Sequence, residues 1–148
     1  MDNALVSDSQ AAKTRTWLRW WRVVLPLALL VVFGSWAVTS PVGSSPDDDY
    51  HLSSIWCAGG ERSGVCEVVE GEPEALLVPQ SVGFAHECFA FQAAVTAACT
   101  ESLTNTLVRT ERVNSLKGWY PSSFYRVMNL FVGDDPQRSV LVMRMVNA

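Results

Sequence analysis

Between Val23 and Val38 the chain has no ionisable side chain, and between Arg22 and Arg62 it has neither lysine nor arginine. Charge is scarce throughout: 18% of the 148 residues are Asp, Glu, Lys or Arg, against 49% hydrophobic, a low charged fraction for a soluble domain. Basic residues are fewest where a nucleic acid would need them. Pro41 to Lys117 carries eleven acidic side chains and four basic ones, so no basic stripe neutralises phosphates and nucleic acid is excluded as a ligand. No two of the four cysteines have the C-x₂₋₄-C spacing of structural zinc sites, even with His51 and His86 available as further ligands.

What is present begins with that uncharged run. Val23 to Val38 reads VVLPLALLVVFGSWAV, and Thr39 and Ser40 extend it to about 18 residues, or roughly 27 Å of helix. This is near the lower limit for a hydrocarbon core of roughly 30 Å. Trp17, Trp20 and Trp21 suit the headgroup level, and Arg19 and Arg22 can snorkel outward. Residues 23–40 therefore form one transmembrane helix. Lys13, Arg15, Arg19 and Arg22 precede it, so the positive-inside rule puts residues 1–22 in the cytoplasm and everything after about residue 41 outside the cell membrane. The first dozen residues, polar and without periodicity, read as a disordered tail. A cleaved signal peptide is the rival, with small residues at Ala37-Val38-Thr39; the long tryptophan-rich leader and nearby Pro41 argue against it.

Cys57, Cys66, Cys88 and Cys99 all follow the span, where this topology predicts an oxidising compartment and two disulfides. Three pairings are possible, and proximity favours Cys57 with Cys66 and Cys88 with Cys99. The first pair encloses AGGERSGV, whose glycines permit a tight reversal. The second pair conflicts with a helix through HECFAFQAAVTAACTESL, because helical positions eleven apart stand roughly 16 Å from each other, beyond the Cα limit of about 7 Å. The bridge, with a turn inside it, is the expectation.

Further on, the extracytoplasmic loop domain (41–118) shows one short strand at Cys66–Val69 and a helix from Thr100 to Lys117, capped by Thr100 and ended by Gly118, with Leu103, Leu107 and Val108 on its apolar face. Over 119–132 an apolar helix opens at Tyr120-Pro121, too short to span, with Trp119, Tyr120 and Tyr125 placed at headgroup depth; it reads as interfacial or re-entrant. Asp134-Asp135-Pro136 starts another helix over 136–148, read as a second membrane helix cut short and so as part of a longer polytopic protein. The fold class is mainly α, a membrane protein with one N-terminal transmembrane helix, a disulfide-stapled outer region and apolar helices near the C-terminus.

Asp47, Asp48 and Asp49 stand at the outer mouth of the span, followed by His51. A solvated acidic turn is one explanation. The other is chemical: one ionised carboxylate acts as general base on an acceptor hydroxyl while a neighbour binds a hard divalent cation such as Mg or Mn that clamps a phosphate leaving group. On an extended chain Asp47 and Asp49 share a face and Asp48 does not.

The order basic tail, span, SPVGSSPDDDYHLSSIWC, paired cysteines, WYPSSFYRVMNLFVGDD, RSVLVMRMVN resembles the actinobacterial-type domain-of-unknown-function family twenty-one forty-two, predicted polytopic membrane proteins. Pro46, Asp47 and His51 match that family's Pro-Asp-Glu-x-x-His element, with Asp48 where Glu is usual. Tyr120-Pro121 matches its Tyr-Pro-Pro element, with Ser122 for the second proline. The family is similar in layout to the GT-C class of membrane glycosyltransferases, which use polyprenyl-phosphate sugars. The resemblance implies Asp47 and Asp48 as catalytic or metal-binding carboxylates with His51 in support, a lipid-linked sugar as substrate, and a cell-envelope role. The alternative is a non-enzymatic envelope protein on a single anchor.

Overall fold

The computed structural model describes residues 2–45 and 47–147, with the side chains of Trp17 and of those residues from Arg19 onward. Pro46 and its expected part in the acidic element lie outside the described residues, as does Ala148.

A single helix, α1, runs from Asp2 to Thr39. It includes residues 2–12, part of the stretch the sequence suggests is disordered; no Pro or Gly interrupts the chain before Pro26, and Ala, Leu, Gln, Lys and Arg favour helix there. Pro26 lies inside the helix and leaves the Arg22 carbonyl without its intrahelical donor. Arg19–Thr39, 21 residues, is long and apolar enough to cross a membrane, and only 6% of its most apolar stretch is covered by the rest of the protein. Leu30, Val31 and Val38 are 66%, 67% and 70% exposed. In water, that much bare aliphatic surface on one helix is unfavourable at about 25 cal/mol per Å²; in hydrocarbon it carries no such cost.

Beyond α1 the chain folds into a small α+β domain. Helix α2 (Asp48–Cys57) has two aspartates in its first turn, where the helix dipole favours negative charge. Leu52, Ile55 and Trp56 recur at helical spacing and are buried. Strands β1 (Glu67–Val69), β2 (Glu72–Pro79) and β3 (Leu107–Thr110) form an antiparallel sheet in the order β1-β2-β3, with Val68 opposite Leu76 and Val78 opposite Val108. Two short helices, α3 (Gln80–Gly83) and α4 (Asn114–Lys117), flank the sheet's later strands, and α5 (Ser122–Asn129) and α6 (Pro136–Asn147) complete the domain.

The fold is helix-rich as expected, with a small three-stranded sheet added to it, and two local expectations change. The helix expected from Thr100 to Lys117 is instead a 3-10 turn (Ala97–Ser102), strand β3 and α4; the β-branched Thr106, Val108 and Thr110 suit pairing with β2. Gly118 does end a helix, in the left-handed conformation. Tyr125, expected to face the headgroups, points inward: it is fully buried, with Met128, in the main core against α2 and α6. That core also takes in Val42, Trp56, Val82, Ala85, Val140 and Met143.

Both disulfides form in the order proximity favours. Cys57 joins Cys66 and Cys88 joins Cys99, with Cα separations of 5.3 and 6.0 Å. The first closes the end of α2 onto the sheet, and Cys66 is buried with Leu76 and Val113. Between Cys88 and Cys99 the chain makes 3-10 turns and no continuous helix. At α6, Asp135 caps as expected: its Oδ1 accepts from the Arg138 amide at 3.1 Å, with Pro136 at the first helical position.

Candidate functional site

The three aspartates begin α2, so they do not alternate as on an extended chain. Asp47 is the N-cap residue, in left-handed conformation (φ 65) and with no capping bond from its side chain. It is exposed, while its carbonyl accepts from the Tyr50 and His51 amides at 3.0 Å each. Asp48 and Asp49 follow in the helix and diverge by about 100°. Asp49 is buried and ion-paired with Arg112, whose guanidinium also lies 3.2 Å from His86 Nε2. Hydrogen bonding to Asp49 raises the Arg112 pKa further.

Asp48 faces the other way, toward α1 and α6. Its Oδ2 accepts from the Ser45 amide at 3.2 Å and lies 3.6 Å from an Arg144 nitrogen. Burial pushes its carboxyl above the usual range, against opposing pulls from the Ser45 amide and Arg144. His51, one turn along the same helix, is half-buried. It shares a 3.0 Å hydrogen bond with the Tyr125 hydroxyl through Nδ1, and its ring meets Tyr120 edge-on with centroids 4.8 Å apart. Burial in turn pushes the Tyr125 phenol above its ordinary value.

Arg144 ties this site to the membrane helix. Its guanidinium donates to the Ser40 carbonyl, to the Pro41 carbonyl at 2.9 Å and to Ser44 Oγ at 3.5 Å, and it lies over the Trp36 ring. These carbonyls follow directly on the C-terminal end of α1, where a cation is favoured by the helix dipole. Two open grooves meet at Asp48, Arg144 and Asn147. One, of about 250 Å³, is lined by His51, Leu52, Phe124 and Met143; the other, of about 730 Å³, runs along Val32, Phe33 and Trp36 of α1. A polar roof with apolar walls suits an amphiphile whose headgroup lies at Asp48 and whose chain lies along α1.

The structure thus brings Asp48 and His51 to one groove and leaves Asp47 apart in solvent. Among the described residues no group of three or more His, Cys, Asp or Glu side chains is placed to hold a metal ion. Asp47 is exposed, and the cation beside Asp48 is the Arg144 guanidinium at 3.6 Å. The four cysteines are all paired and are structural. Arg144 and Asn147 were missed from the sequence. The signal for Arg144 was available: a lone arginine inside the apolar run VLVMRMV needs an anionic or carbonyl partner.

No match to the chain was found among the curated proteins or the solved structures. One family model does match it, over residues 30–148, from the second half of the apolar helix through both disulfides and the Asp48–Arg144 contact. The bare α1 helix fits that family's description, and the chain belongs to the predicted membrane protein family DUF2142.

Proposed function

We propose that this chain contributes the first extracytoplasmic site of a polytopic membrane glycosyltransferase of GT-C type, acting on a polyprenyl-phosphate sugar at the cell envelope, with the N-terminus of α1 in the cytoplasm and α6 beginning a second membrane passage. The observation that carries this reading is the pair of grooves meeting at Asp48 and Arg144, one of them running along the apolar side of α1. In it Asp48 is the general base. The acceptor hydroxyl loses its proton to the Asp48 carboxylate as its oxygen bonds to the anomeric carbon, and the bond from that carbon to phosphate breaks, releasing polyprenyl phosphate. A carboxyl raised by burial is a better proton acceptor than an ordinary one. Arg144 offsets the phosphate charge as the bond breaks, taking the part that a divalent cation was expected to play, and His51, held by Tyr125, positions the acceptor.

A second reading has its own support. Asp48 and Asp49 each have an arginine beside them, as they would in a non-enzymatic anchored domain whose acidic run only holds the fold. Single Asp47→Asn and Asp48→Asn substitutions in the intact membrane protein separate the two, with transfer from a polyprenyl-phosphate sugar as the assay. Loss of at least about tenfold in turnover for Asp48→Asn, with Asp47→Asn near wild type, supports transfer catalysis. Wild-type turnover in both variants removes the catalytic assignment.

A further inference from the structure

We infer that the loop closed by Cys88 and Cys99 is a membrane-surface finger that buries Phe91 in the lipid headgroup and upper acyl region beside the end of α1. The ten residues between the cysteines, FAFQAAVTAA, contain no charged side chain, within a segment that is otherwise acidic. Their two ends are held together at a Cα separation of 6.0 Å. The base of the loop is tied further: the Phe89 and Ala90 amides donate to the His86 carbonyl at 3.2 and 2.7 Å, and the Gln92 side chain donates to the Glu87 carbonyl at 3.3 Å.

At the outer part of this loop Phe91 has a left-handed backbone (φ 62) and a side chain that is completely exposed. Ala93, Ala94 and Val95 beside it are exposed as well. A bulky residue with positive φ is strained, and nothing within the protein covers the ring that the strain displays. Apolar surface presented in this way marks a contact with something else.

The position of the loop identifies the contact. Gly43 packs so closely on the backbone of Ala85 and His86 that a Cβ there would lie 2.7 Å from the His86 nitrogen. Gly43 is four residues past the end of α1, and His86 is two before Cys88. The base of the loop therefore lies against the stretch by which the chain leaves its membrane helix. An uncharged loop with an aromatic residue at its outer part suits the bilayer interface, where the ring is desolvated and no charge has to follow it. This holds whether or not the chain takes part in sugar transfer.

The test is Phe91→Trp in the full chain, reconstituted in phosphatidylcholine–phosphatidylglycerol vesicles, with the added emission taken as the difference from the parent protein. The expected result is a blue-shifted contribution that falls at least about twofold when lipid carrying a nitroxide near the carbonyl end of its acyl chain is included, and that aqueous iodide leaves nearly unchanged. Val95→Trp gives a second position in the same loop, and non-reducing peptide mapping confirms the Cys88–Cys99 link in each variant. Quenching by iodide and not by lipid places the loop in water and overturns the inference. Resistance to both quenchers means that protein covers the loop, and overturns it equally.

Discussion

Arg144→Met is the most informative single change. It keeps most of the aliphatic stem but removes the guanidinium that reaches from α6 to the exit of α1. Hydrogen bonds from a charged donor are worth about 1.5–3 kcal/mol each, and a cation at a helix C-terminus adds about 0.3–1 kcal/mol. Arg144 and Asp48 are 13% and 21% exposed at their side chains, so water regains part of the carbonyl bonding and the expected net loss is about 3 kcal/mol. Asp48→Asn behaves differently. Arg144 keeps its carbonyl partners, the new amide still accepts from Ser45, and the expected change at neutral pH is within about 1 kcal/mol. In the Asp48→Asn background the cost of Arg144→Met falls by about 1 kcal/mol, since no carboxylate is left without its counter-charge.

The pH profile carries the same logic with a definite sign. Burial raises the folded-state pKa of Asp48. Its proton therefore contributes stability that is fully present below the unfolded carboxyl value, near pH 4, and is lost as pH rises through the raised folded value. Asp48→Asn should flatten that decline, and the cost of Arg144→Met should shrink toward acid pH as Asp48 takes up its proton. Urea titration in detergent micelles, followed by tryptophan emission with Trp56 as the buried reporter, measures all four proteins. If Asp48→Asn costs as much as Arg144→Met at neutral pH, or Arg144→Met costs less than about 1 kcal/mol, the account of this contact is wrong.

Two further outcomes follow from the fold. Gly43→Ala should cost about 2–3 kcal/mol in the same titration, because φ is +80° and the new Cβ would meet the His86 backbone at 2.7 Å; a loss under about 0.5 kcal/mol would show that this contact is loose. Replacing Cys57 and Cys66 together by serine should cost roughly 3 kcal/mol from the freed loop alone, with an added penalty for the polar group at buried Cys66, and a midpoint unchanged from the parent would refute the staple's contribution.

The sequence announces its membrane helix through missing charge, and its disulfides through a distance argument: a continuous helix would have kept Cys88 and Cys99 too far apart. The Asp135-Pro136 helix start was equally legible, because capping is decided by a few adjacent residues. The sheet was not. Strand β2 opens Glu72-Pro73-Glu74 and ends at Pro79, and beside its pairing with β1 it depends on β3, some thirty residues later in the chain. Local pattern cannot convey such a partner. The same holds for Tyr125, which shares its neighbourhood in sequence with exposed Trp119, Tyr120 and Phe124 yet alone points into the core. Of the site, Asp48 and His51 could be named from their neighbours, but the divergence of Asp47 from Asp48 depended on α2 being a helix, and Arg144 enters from about a hundred residues away.

Because Arg144 binds the carbonyls of Ser40 and Pro41, the domain between them starts and finishes at one spot. Helix α6 packs against the end of α1, with Leu141 and Val38 lining one groove between them and Asn147, Val32 and Phe33 lining another, so the two resemble a helical hairpin whose turn has been replaced by a folded domain. Surface loops within a module whose ends adjoin can be lengthened or shortened without moving those ends. The guanidinium contact, together with Val140 and Met143 of α6 packed in the same core as Val42, holds the two ends together.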